Sequence, residues 1–268
     1  MASASNDAAR YVEFATEVID RAGAIALKYF RTDLEVINKA KKRNYDPVTR
    51  ADREIEEYIR GRIRDAFPDH AIIGEEFGSQ RGESPFAWMI DPIDGTKGFI
   101  TGSPMWGVLL GLMEGDRCIA GLMRQPFLRE TYVGSPAGAF VLGDDGRKPL
   151  KTRNAGAIAG AIVCCTHPNM FLTDETRRGF DRVAQACAFS RFGTDCYGYG
   201  LLARGFVDLV VESDLEAYDI MPLIPIVEGT GGVVTDWQGG PGSRGGSIVA
   251  AANRALHAQA LDLLNSGA

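Results

Sequence analysis

The chain has 268 residues, of which 45% are hydrophobic and 24% are charged, and its formal net charge is −6 at pH 7. This length and composition predict one large domain or two closely packed lobes, and they exclude a mainly disordered chain. The acidic balance argues against nucleic acid or an anionic membrane as the main partner, because such partners select clustered Lys and Arg.

Cysteine content and the N-terminus indicate the cellular environment. The five cysteines include no C-x-x-C pair, which argues against a disulfide framework or a zinc cluster and predicts reduced, mostly buried thiols. Residues 1–7 lack the basic and apolar regions of a leader, and no stretch approaches ~18 continuous apolar residues. We therefore expect a cytoplasmic protein.

Helical periodicity dominates the first part of the chain. Apolar residues recur at intervals of three and four over residues 12–29, which predicts an amphipathic helix that begins near Ser5 or Asn6. A second amphipathic helix is predicted to start at Thr49 and to stop at Pro68, because proline cannot continue a helix.

From residue 71 onwards the pattern changes from helical to strand-like. Two short buried strands are predicted at residues 71–74 and 86–90, and each runs directly into acidic residues. The strand-like runs that follow are separated by turns and predict an antiparallel meander, with strands at residues 108–113, 118–123, 131–133 and 139–142.

A polar, turn-rich stretch at residues 143–149 is the predicted boundary between two lobes. The division gives an N-terminal α+β lobe of residues 1–145 and a C-terminal α/β lobe of residues 146–268, packed as one unit. Strands and helices alternate in the second lobe, which implies a parallel or mixed sheet. The predicted elements there are strands at residues 162–165, 189–192 and 208–211 and near residues 233 and 248, and helices at residues 175–188, 199–204, 219–228 and 254–264.

The most informative segment is the hexapeptide Asp-Pro-Ile-Asp-Gly-Thr at residues 91–96. A buried strand is predicted to end in Asp91, and Pro92 is expected to force a turn. The Asp91 and Asp94 carboxylates and the Ile93 carbonyl can then converge on one point, as hard-oxygen ligands of a cation do.

Gly95 and Thr96 open the element that follows the two carboxylates. Their backbone N–H groups and the threonine hydroxyl suit an oxyanion such as phosphate. The alternative interpretation of the hexapeptide is an ordinary turn, because Asp, Pro and Gly are common loop residues.

Other carboxylates lie at the ends of predicted elements. Glu75 and Glu76 follow the strand at residues 71–74 and are either solvated or part of a metal shell. Asp52 matches a Thr-x-x-Asp capping box, and Asp219 lies at a helix start, where N-capping is the simpler explanation. Because active sites of α/β proteins gather at the carboxyl ends of strands, the joint arrangement favours a common site.

The donor types indicate which metal the site would take. Carboxylates without His or Cys partners point to Mg²⁺, which commonly bridges protein acids to a substrate phosphate. The G-x-G-x-x-A pattern at residues 198–203 is a weak dinucleotide signal, and tight strand–helix packing is the favoured explanation. His167 is interpreted as a plain loop histidine.

Four segments together resemble the inositol monophosphatase family of Mg²⁺-dependent phosphomonoesterases. They lie at residues 47–52, 74–76, 91–96 and 218–232. The resemblance implies an α/β fold, an αβαβα layered sandwich, that usually forms a homodimer. It also implies two or three Mg²⁺ ions in each active site, with Mn²⁺ as a substitute. Whether the basic segment at residues 39–43 forms a lid is left open.

The resemblance implies roles for individual residues. The metals would be held by Glu75, Asp91, the Ile93 carbonyl, Asp94 and Asp219. Asp52 would lie behind these ligands, and Thr96 with Glu75 would orient the attacking water. The Gly95 and Thr96 backbone would bind phosphate, and Asp219 would contact the substrate as well as the metal.

Within the family, residues 94–104 and 217–239 look most like the histidinol-phosphate phosphatases. Tyr218 stands where inositol monophosphatases more often carry Trp. Glu212 lies seven residues before Asp219, where family members contact the alcohol portion of the substrate, so its carboxylate could pair with the amine of histidinol. The alternative for Glu212 is a strand-end acid that faces water.

The expected function is hydrolysis of L-histidinol phosphate to L-histidinol and phosphate, a step of histidine biosynthesis, by metal-activated water. The alternatives on the same fold are a phosphatase for inositol 1-phosphate, a 3'(2'),5'-bisphosphate nucleotidase, and a non-catalytic small-molecule binding protein. A non-catalytic member would be expected to lack one of the implied site residues, and all of them are present.

Overall fold

The computed structural model describes residues 2–38 and 47–266, so the basic segment at residues 39–43 lies outside the described residues. The helices are α1 Ala2–Tyr29, α2 Arg50–Ala66, α3 Thr96–Ile100, α4 Asp174–Ala186, α5 Tyr197–Ala203, α6 Ala217–Ile220, α7 Ile224–Glu228 and α8 Arg254–Asn265. The strands are β1 Val36–Asn38, β2 Pro47–Thr49, β3 Ala71–Gly74, β4 Gly78–Gln80, β5 Phe86–Asp94, β6 Gly107–Glu114, β7 Arg117–Gln125, β8 Glu130–Ser135, β9 Gly138–Gly143, β10 Gly146–Pro149, β11 Ile162–Cys165, β12 Phe189–Phe192, β13 Leu209–Leu215, β14 Val233–Asp236 and β15 Gly246–Ala251.

The first sheet contains the predicted antiparallel meander. Among the described residues its strand order is β10-β9-β8-β7-β6-β5-β3-β4. Strands β3 and β5 are hydrogen-bonded neighbours and run parallel, so their carboxyl ends lie at the same edge of the sheet. Glu75 follows β3, and Asp94 is the last residue of β5, so this edge brings two of the predicted metal ligands together.

Helices α1 and α2 cover one face of the first sheet. Their predicted apolar stripes are buried, with Val18 of α1 and Ile59 of α2 both inaccessible to solvent. Burying such a side chain contributes about 1.5–3 kcal/mol to folding. Thr49 caps α2, because its hydroxyl accepts the Ala51 N–H at 3.1 Å, which confirms the predicted helix start.

The second sheet is mixed, as the alternation of strands and helices predicts. Strand β11 pairs in parallel with β12 and β13, whereas β15 pairs antiparallel with β13 and β14. Side chains alternate between the two faces of β13: Val210 packs against α5 and α7, and Leu209 and Val211 pack on the side of α4 and α8. Each face of this sheet therefore has its own apolar core.

Helices and sheets alternate in five layers. Helices α1 and α2 lie on the outer face of the first sheet, α5 and α7 lie between the two sheets, and α4 and α8 cover the outer face of the second sheet. The α/β sandwich of order αβαβα predicted from the sequence is confirmed.

Helix α1 begins at Ala2, before the predicted start near Ser5 or Asn6. Two further predicted elements differ from the structure. The helix predicted at residues 219–228 is two short helices, α6 and α7, because Pro222 lies between them and a proline ring clashes with the carbonyl four residues earlier. The stretch predicted as the lobe boundary forms the β9–β10 hairpin, with Gly146 opposite Gly143, at one edge of the first sheet. The division into lobes of residues 1–145 and 146–268 stays a prediction.

Two predictions from the composition concern the state of the cysteines and the presence of membrane-spanning helices. All five cysteines are buried and free, as predicted. Over residues 2–38 and 47–266, no helix is both long enough and apolar enough to span a membrane.

Candidate active site

Three carboxylates from separate parts of the chain meet at the edge of the first sheet. Asp91 and Asp94 come from β5, and Asp219 comes from α6. One carboxylate oxygen of each lies within 4.8 Å of the others. The structure therefore brings together three of the predicted metal ligands, although they span more than a hundred residues of sequence.

A bulge in β5 makes this convergence possible. The pairing of β5 with β6 shifts register between Asp91 and Asp94, and the Asp91 carboxylate accepts the Ile93 N–H at 3.0 Å. Residues three apart on a regular strand face opposite sides, and an extra residue in the ladder can return them to one side. The predicted turn at Pro92 is wrong, because proline, which has no N–H to donate to the ladder, sits at the bulge within the strand.

Glu75 belongs to the same cluster through its charge. It is half-buried in the turn after β3, and its backbone N–H donates to the Ile90 carbonyl of β5 at 3.2 Å. Its carboxylate is among the neighbours that raise the pKa of Asp91. We refer to Glu75, Asp91, Asp94 and Asp219 as the carboxylate cluster.

Burial and mutual repulsion dominate the electrostatics of the carboxylate cluster. Burial, and after it the charges of neighbouring carboxylates, raise the pKa of Asp91 and of Asp219 well above the ordinary value. Burial also raises the pKa of Asp94, against the opposing effect of the Cys196 N–H, which donates to its carboxylate at 2.6 Å. An all-oxygen donor set with this excess of negative charge fits a hard divalent cation.

The residues after β5 place a hydroxyl and two amides beside the cluster. The Thr96 hydroxyl donates to the Ile93 carbonyl at 3.0 Å. Gly95 has φ +86°, and a Cβ there would lie 2.9 Å from the Met105 carbonyl oxygen, so only glycine fits this position. Thr96 is the first residue of α3, and the first N–H groups of a helix have no partner within the helix.

Asp52 forms the predicted capping box at the start of α2. Its carboxylate accepts the Thr49 N–H at 2.8 Å and the Thr49 hydroxyl at 2.6 Å. Burial raises the pKa of Asp52 to about 6, and the charge of Glu76 adds to the shift, whereas the bonds from Thr49 oppose it. The capping interpretation is confirmed, and a role of Asp52 behind the metal ligands stays a prediction.

Glu212 lies in the middle of β13 and is only 2% exposed. Its carboxylate accepts the Thr166 N–H at 3.0 Å and the Tyr199 hydroxyl at 2.9 Å. Burial raises the pKa of Glu212 to about 7, and the charge of Asp94 adds to the shift. The interpretation of Glu212 as an acid that faces water is therefore wrong, and its contact with substrate stays a prediction.

Asp195 is a site residue that the sequence patterns did not predict. It lies in the turn between β12 and α5 with φ +42°, and burial raises its pKa to about 8. The charges of Asp94 and Glu212 also raise this pKa, which places Asp195 within electrostatic reach of both. Asp195 follows the carboxyl end of a predicted strand, the same signal that identified Glu75. We refer to Asp195 and Glu212 as the acidic pair.

Helix α5 holds the turn that carries Asp195. The glycines of residues 198–203 pack tightly: a Cβ on Gly200 would lie 2.6 Å from the Met123 side chain. The Tyr197 hydroxyl donates to the Glu130 carboxylate of β8 at 2.8 Å. The packing explanation of this glycine pattern is confirmed, and it anchors α5 to the first sheet.

His167 has a local structural role. It is exposed, and its Nδ1 accepts the Asn169 N–H at 3.0 Å at the start of a single 3₁₀ turn, Pro168–Met170. This position agrees with the interpretation of His167 as a loop histidine.

Comparison with known proteins shows which sequences this chain is similar to. Residues 7–267 match the model of the inositol monophosphatase family. The chloroplastic bifunctional phosphatase IMPL2 of Arabidopsis thaliana is 37% identical over 267 residues, which cover 95% of this chain and 75% of that protein. The histidinol-phosphatase of Chlorobaculum parvum is 32% identical over 258 residues, which cover 96% of this chain and 97% of that protein.

A solved structure extends the comparison to the fold. An inositol monophosphatase from Zymomonas mobilis aligns with a TM-score of 0.84 at 35% sequence identity, and the alignment covers 95% of this chain and 97% of that chain. The range that matches the family model contains every residue of the carboxylate cluster and of the acidic pair.

Proposed function

This chain belongs to the inositol monophosphatase family, and we propose that it is a Mg²⁺-dependent phosphomonoesterase that hydrolyses L-histidinol phosphate. One observation carries the proposal: the site has two separate groups of acids. The carboxylate cluster provides oxygen ligands for metal beside the Gly95 and Thr96 backbone, whereas the acidic pair lies on the second sheet and the turn before α5.

The acidic pair favours a cationic alcohol over the other candidates. Divalent ions would offset the charge of the carboxylate cluster, but Asp195 and Glu212 lie outside that cluster. Lys97 only partly opposes the raised pKa of Asp195, so a cationic group on the substrate would favour the ionised form of both acids. A neutral polyol such as inositol has no charge to offset them, and a second phosphate group would be repelled. The ammonium group of L-histidinol would form a charge-assisted hydrogen bond with a carboxylate.

The two members of the acidic pair would act differently. Glu212 already accepts hydrogen bonds from Thr166 and Tyr199, so it contributes mainly through its charge. Asp195 is half-buried and lies closer to the surface, which leaves it better placed for direct contact with an amine. This assignment moves the expected amine contact from Glu212 to Asp195.

The residues after β5 would orient the attacking water and the phosphate group. Bound Mg²⁺ would lower the pKa of water and offset the charge that develops on the leaving oxygen. The Thr96 hydroxyl commits its proton to the Ile93 carbonyl, so its lone pairs remain to accept a hydrogen bond from the attacking water. The Glu75 carboxylate would accept a hydrogen bond from the other hydrogen of that water, and the Gly95 and Thr96 N–H groups would bind phosphate oxygens.

A phosphate-release assay tests the function directly. The panel contains L-histidinol phosphate, inositol 1-phosphate, fructose 1,6-bisphosphate and adenosine 3',5'-bisphosphate, each with and without Mg²⁺. We expect release only with Mg²⁺ or Mn²⁺, and the highest kcat/KM for L-histidinol phosphate. A preference for inositol 1-phosphate by an order of magnitude would overturn the proposed substrate. No release from any substrate would favour the non-catalytic alternative.

We also propose that the chain forms a homodimer through β12. This strand is at one edge of the second sheet, and its Phe189 and Phe192 side chains are 50% and 45% exposed. Exposed apolar residues on an edge strand favour pairing with another chain. Sedimentation should give twice the 29.0 kDa chain mass, and Phe192→Lys should shift the protein to the monomer. A wild-type monomer at micromolar concentration would contradict the proposal.

A further inference from the structure

Two charged side chains of α2 are buried beneath the turn that carries Glu75. Glu56 is fully inaccessible to solvent, and Arg60 is 7% exposed. The Arg60 Nε donates to the Glu56 carboxylate at 2.7 Å. Burying an ion pair is costly unless further hydrogen bonds satisfy both groups, so their partners indicate what the pair does.

The partners of this ion pair are backbone groups of the β3–β4 turn. Residues 75–77 connect the strands, because Gly74 is paired with Gly78. The Glu56 carboxylate accepts the Glu76 N–H at 2.7 Å and the Phe77 N–H at 3.2 Å. Arg60 donates to the Gly78 carbonyl. The pair therefore binds the turn on both sides of its tip.

Gly74 is required for this contact. A Cβ at position 74 would lie 2.0 Å from a Glu56 carboxylate oxygen and 2.5 Å from its Cδ. Such distances are far below any van der Waals contact, so a larger residue would displace the carboxylate. The glycine of the Gly-Glu-Glu segment thus admits a side chain of α2 to the turn.

Helix α2 also has apolar contacts that do not involve the ion pair. Ile55, Ile59 and Ile63 on the same helix are fully buried apolar residues, and apolar replacement of a buried ion pair is often neutral or stabilising. The charged pair lies where α2 meets the turn, and the Glu75 N–H on the other side donates to β5. The turn is therefore held from α2 and from β5.

We propose that Glu56 is a positioning residue that fixes the geometry of Glu75 and thereby sets the Mg²⁺ affinity of the carboxylate cluster. The inference rests on the proposed function, because it takes Glu75 as a metal ligand. Residues that orient metal ligands change metal affinity by roughly 10-fold to 100-fold when substituted.

The test is the variant Glu56→Gln, studied in the full chain. Glutamine has the same shape, but its NH₂ group must face one of the three donors that surround the carboxylate. We expect the Kd for Mg²⁺, measured by calorimetry on metal-free protein, to rise about tenfold. The Mg²⁺ concentration for half-maximal activity should rise equally, and kcat at saturating Mg²⁺ should stay within about threefold of wild type.

Asp208→Asn is the matched control. Asp208 is fully buried, accepts the Arg153 Nε at 2.8 Å and accepts the Ile162 N–H at 2.8 Å, so it has the same kind of partners as Glu56. It lies next to the start of β13, away from the carboxylate cluster. This variant should lower Tm but leave the Kd for Mg²⁺ within about twofold of wild type.

The outcomes separate the inference from the proposed function. Unchanged Mg²⁺ affinity in Glu56→Gln, beside normal binding by the wild type, would overturn the inference alone. Absence of Mg²⁺ binding by the wild type would overturn the proposed metal dependence and this inference with it. If Glu56→Gln does not fold, Gly74→Ala displaces the same carboxylate without removing its charge, and it should weaken Mg²⁺ binding in the same direction.

Discussion

The carboxylate cluster and the acidic pair are both groups of wholly or partly buried acids with raised pKa values, but the chain assembles them differently. Asp91 and Asp94 come from one bulged strand of the first sheet. Asp195 and Glu212 come from a turn and a strand of the second half of the chain. Two ligands of the carboxylate cluster therefore come from one local motif and Asp219 joins them from α6, whereas both members of the acidic pair depend on how the second half of the chain packs.

The largest expected effect is at the carboxylate cluster. Asp94→Asn keeps an acceptor for the Cys196 N–H but removes a charge that the metal requires, so turnover should be abolished. Because burial raises the pKa of Asp94, its ionised form destabilises the metal-free protein, and the variant should have an equal or higher Tm in EDTA at pH 8. Phosphate release and thermal unfolding measure the two effects.

Asp116→Asn provides the control for that substitution. Asp116 is exposed in the turn between β6 and β7, so its replacement should change neither activity nor Tm. Full activity of Asp94→Asn would refute the ligand assignment.

A smaller effect is expected for orientation of the attacking water. Thr96→Val keeps the shape of the side chain but removes the hydroxyl, so kcat should fall about a hundredfold while Mg²⁺ affinity is retained. Thr101→Val is matched, because the Thr101 hydroxyl also donates to backbone carbonyls at the end of α3 and is exposed. Equal rates for the two variants would exclude the orienting role.

The smallest effect concerns pH and the acidic pair. In the folded protein the pKa of Asp195 is about 8 and that of Glu212 is about 7, whereas the ordinary value is ~4. Between pH ~4 and these pKa values the folded protein therefore binds more protons than the unfolded chain. The stability that the two groups contribute is complete below pH ~4 and is lost as pH rises through these pKa values. We expect Tm in EDTA to fall by several degrees from pH 6 to pH 8.

The pH series has an internal control. In Asp195→Asn the decrease of Tm close to pH 8 should disappear, because the variant lacks the Asp195 carboxyl that titrates there. Saturating Mg²⁺ should reduce the fall further, since it stabilises the ionised carboxylate cluster. A flat or rising Tm in EDTA over this range would contradict the raised pKa values.

The difference between the two regions also explains what the sequence could predict. Helix α2, its Thr49 cap and the hexapeptide are local patterns, and the structure confirms that Asp91 and Asp94 converge. The predicted turn at Pro92 is wrong because a single proline cannot distinguish a turn from a bulge inside a strand. The bulge depends on pairing with β6, which lies more than ten residues away.

Recognition of the alcohol required the fold. Glu212 was predicted from its spacing before Asp219, but its burial under Tyr199 and Thr166 depends on how α5 and β11 pack around β13. Asp195 follows a predicted strand, yet only the fold shows that the next residue of its turn, Cys196, donates its N–H to the Asp94 carboxylate. Long-range packing, not local propensity, sets this half of the site.

One comparison tests the central claim, that the acidic pair recognises a cationic alcohol. The kcat/KM values are measured for L-histidinol phosphate and for the same ester without its amine, in wild type and in Asp195→Asn. Asparagine tolerates the left-handed backbone of position 195, so the turn should be kept. Asp214→Asn is the control, because Asp214 also has positive φ, 63°, and is exposed.

We expect Asp195→Asn to lower kcat/KM for L-histidinol phosphate by roughly tenfold to a hundredfold, the usual value of a hydrogen bond between charged groups. For the ester without the amine, Asp195→Asn and Asp214→Asn should both have the kcat/KM that the wild type has for that ester. An equal loss for both substrates, or no loss for either, would contradict the account.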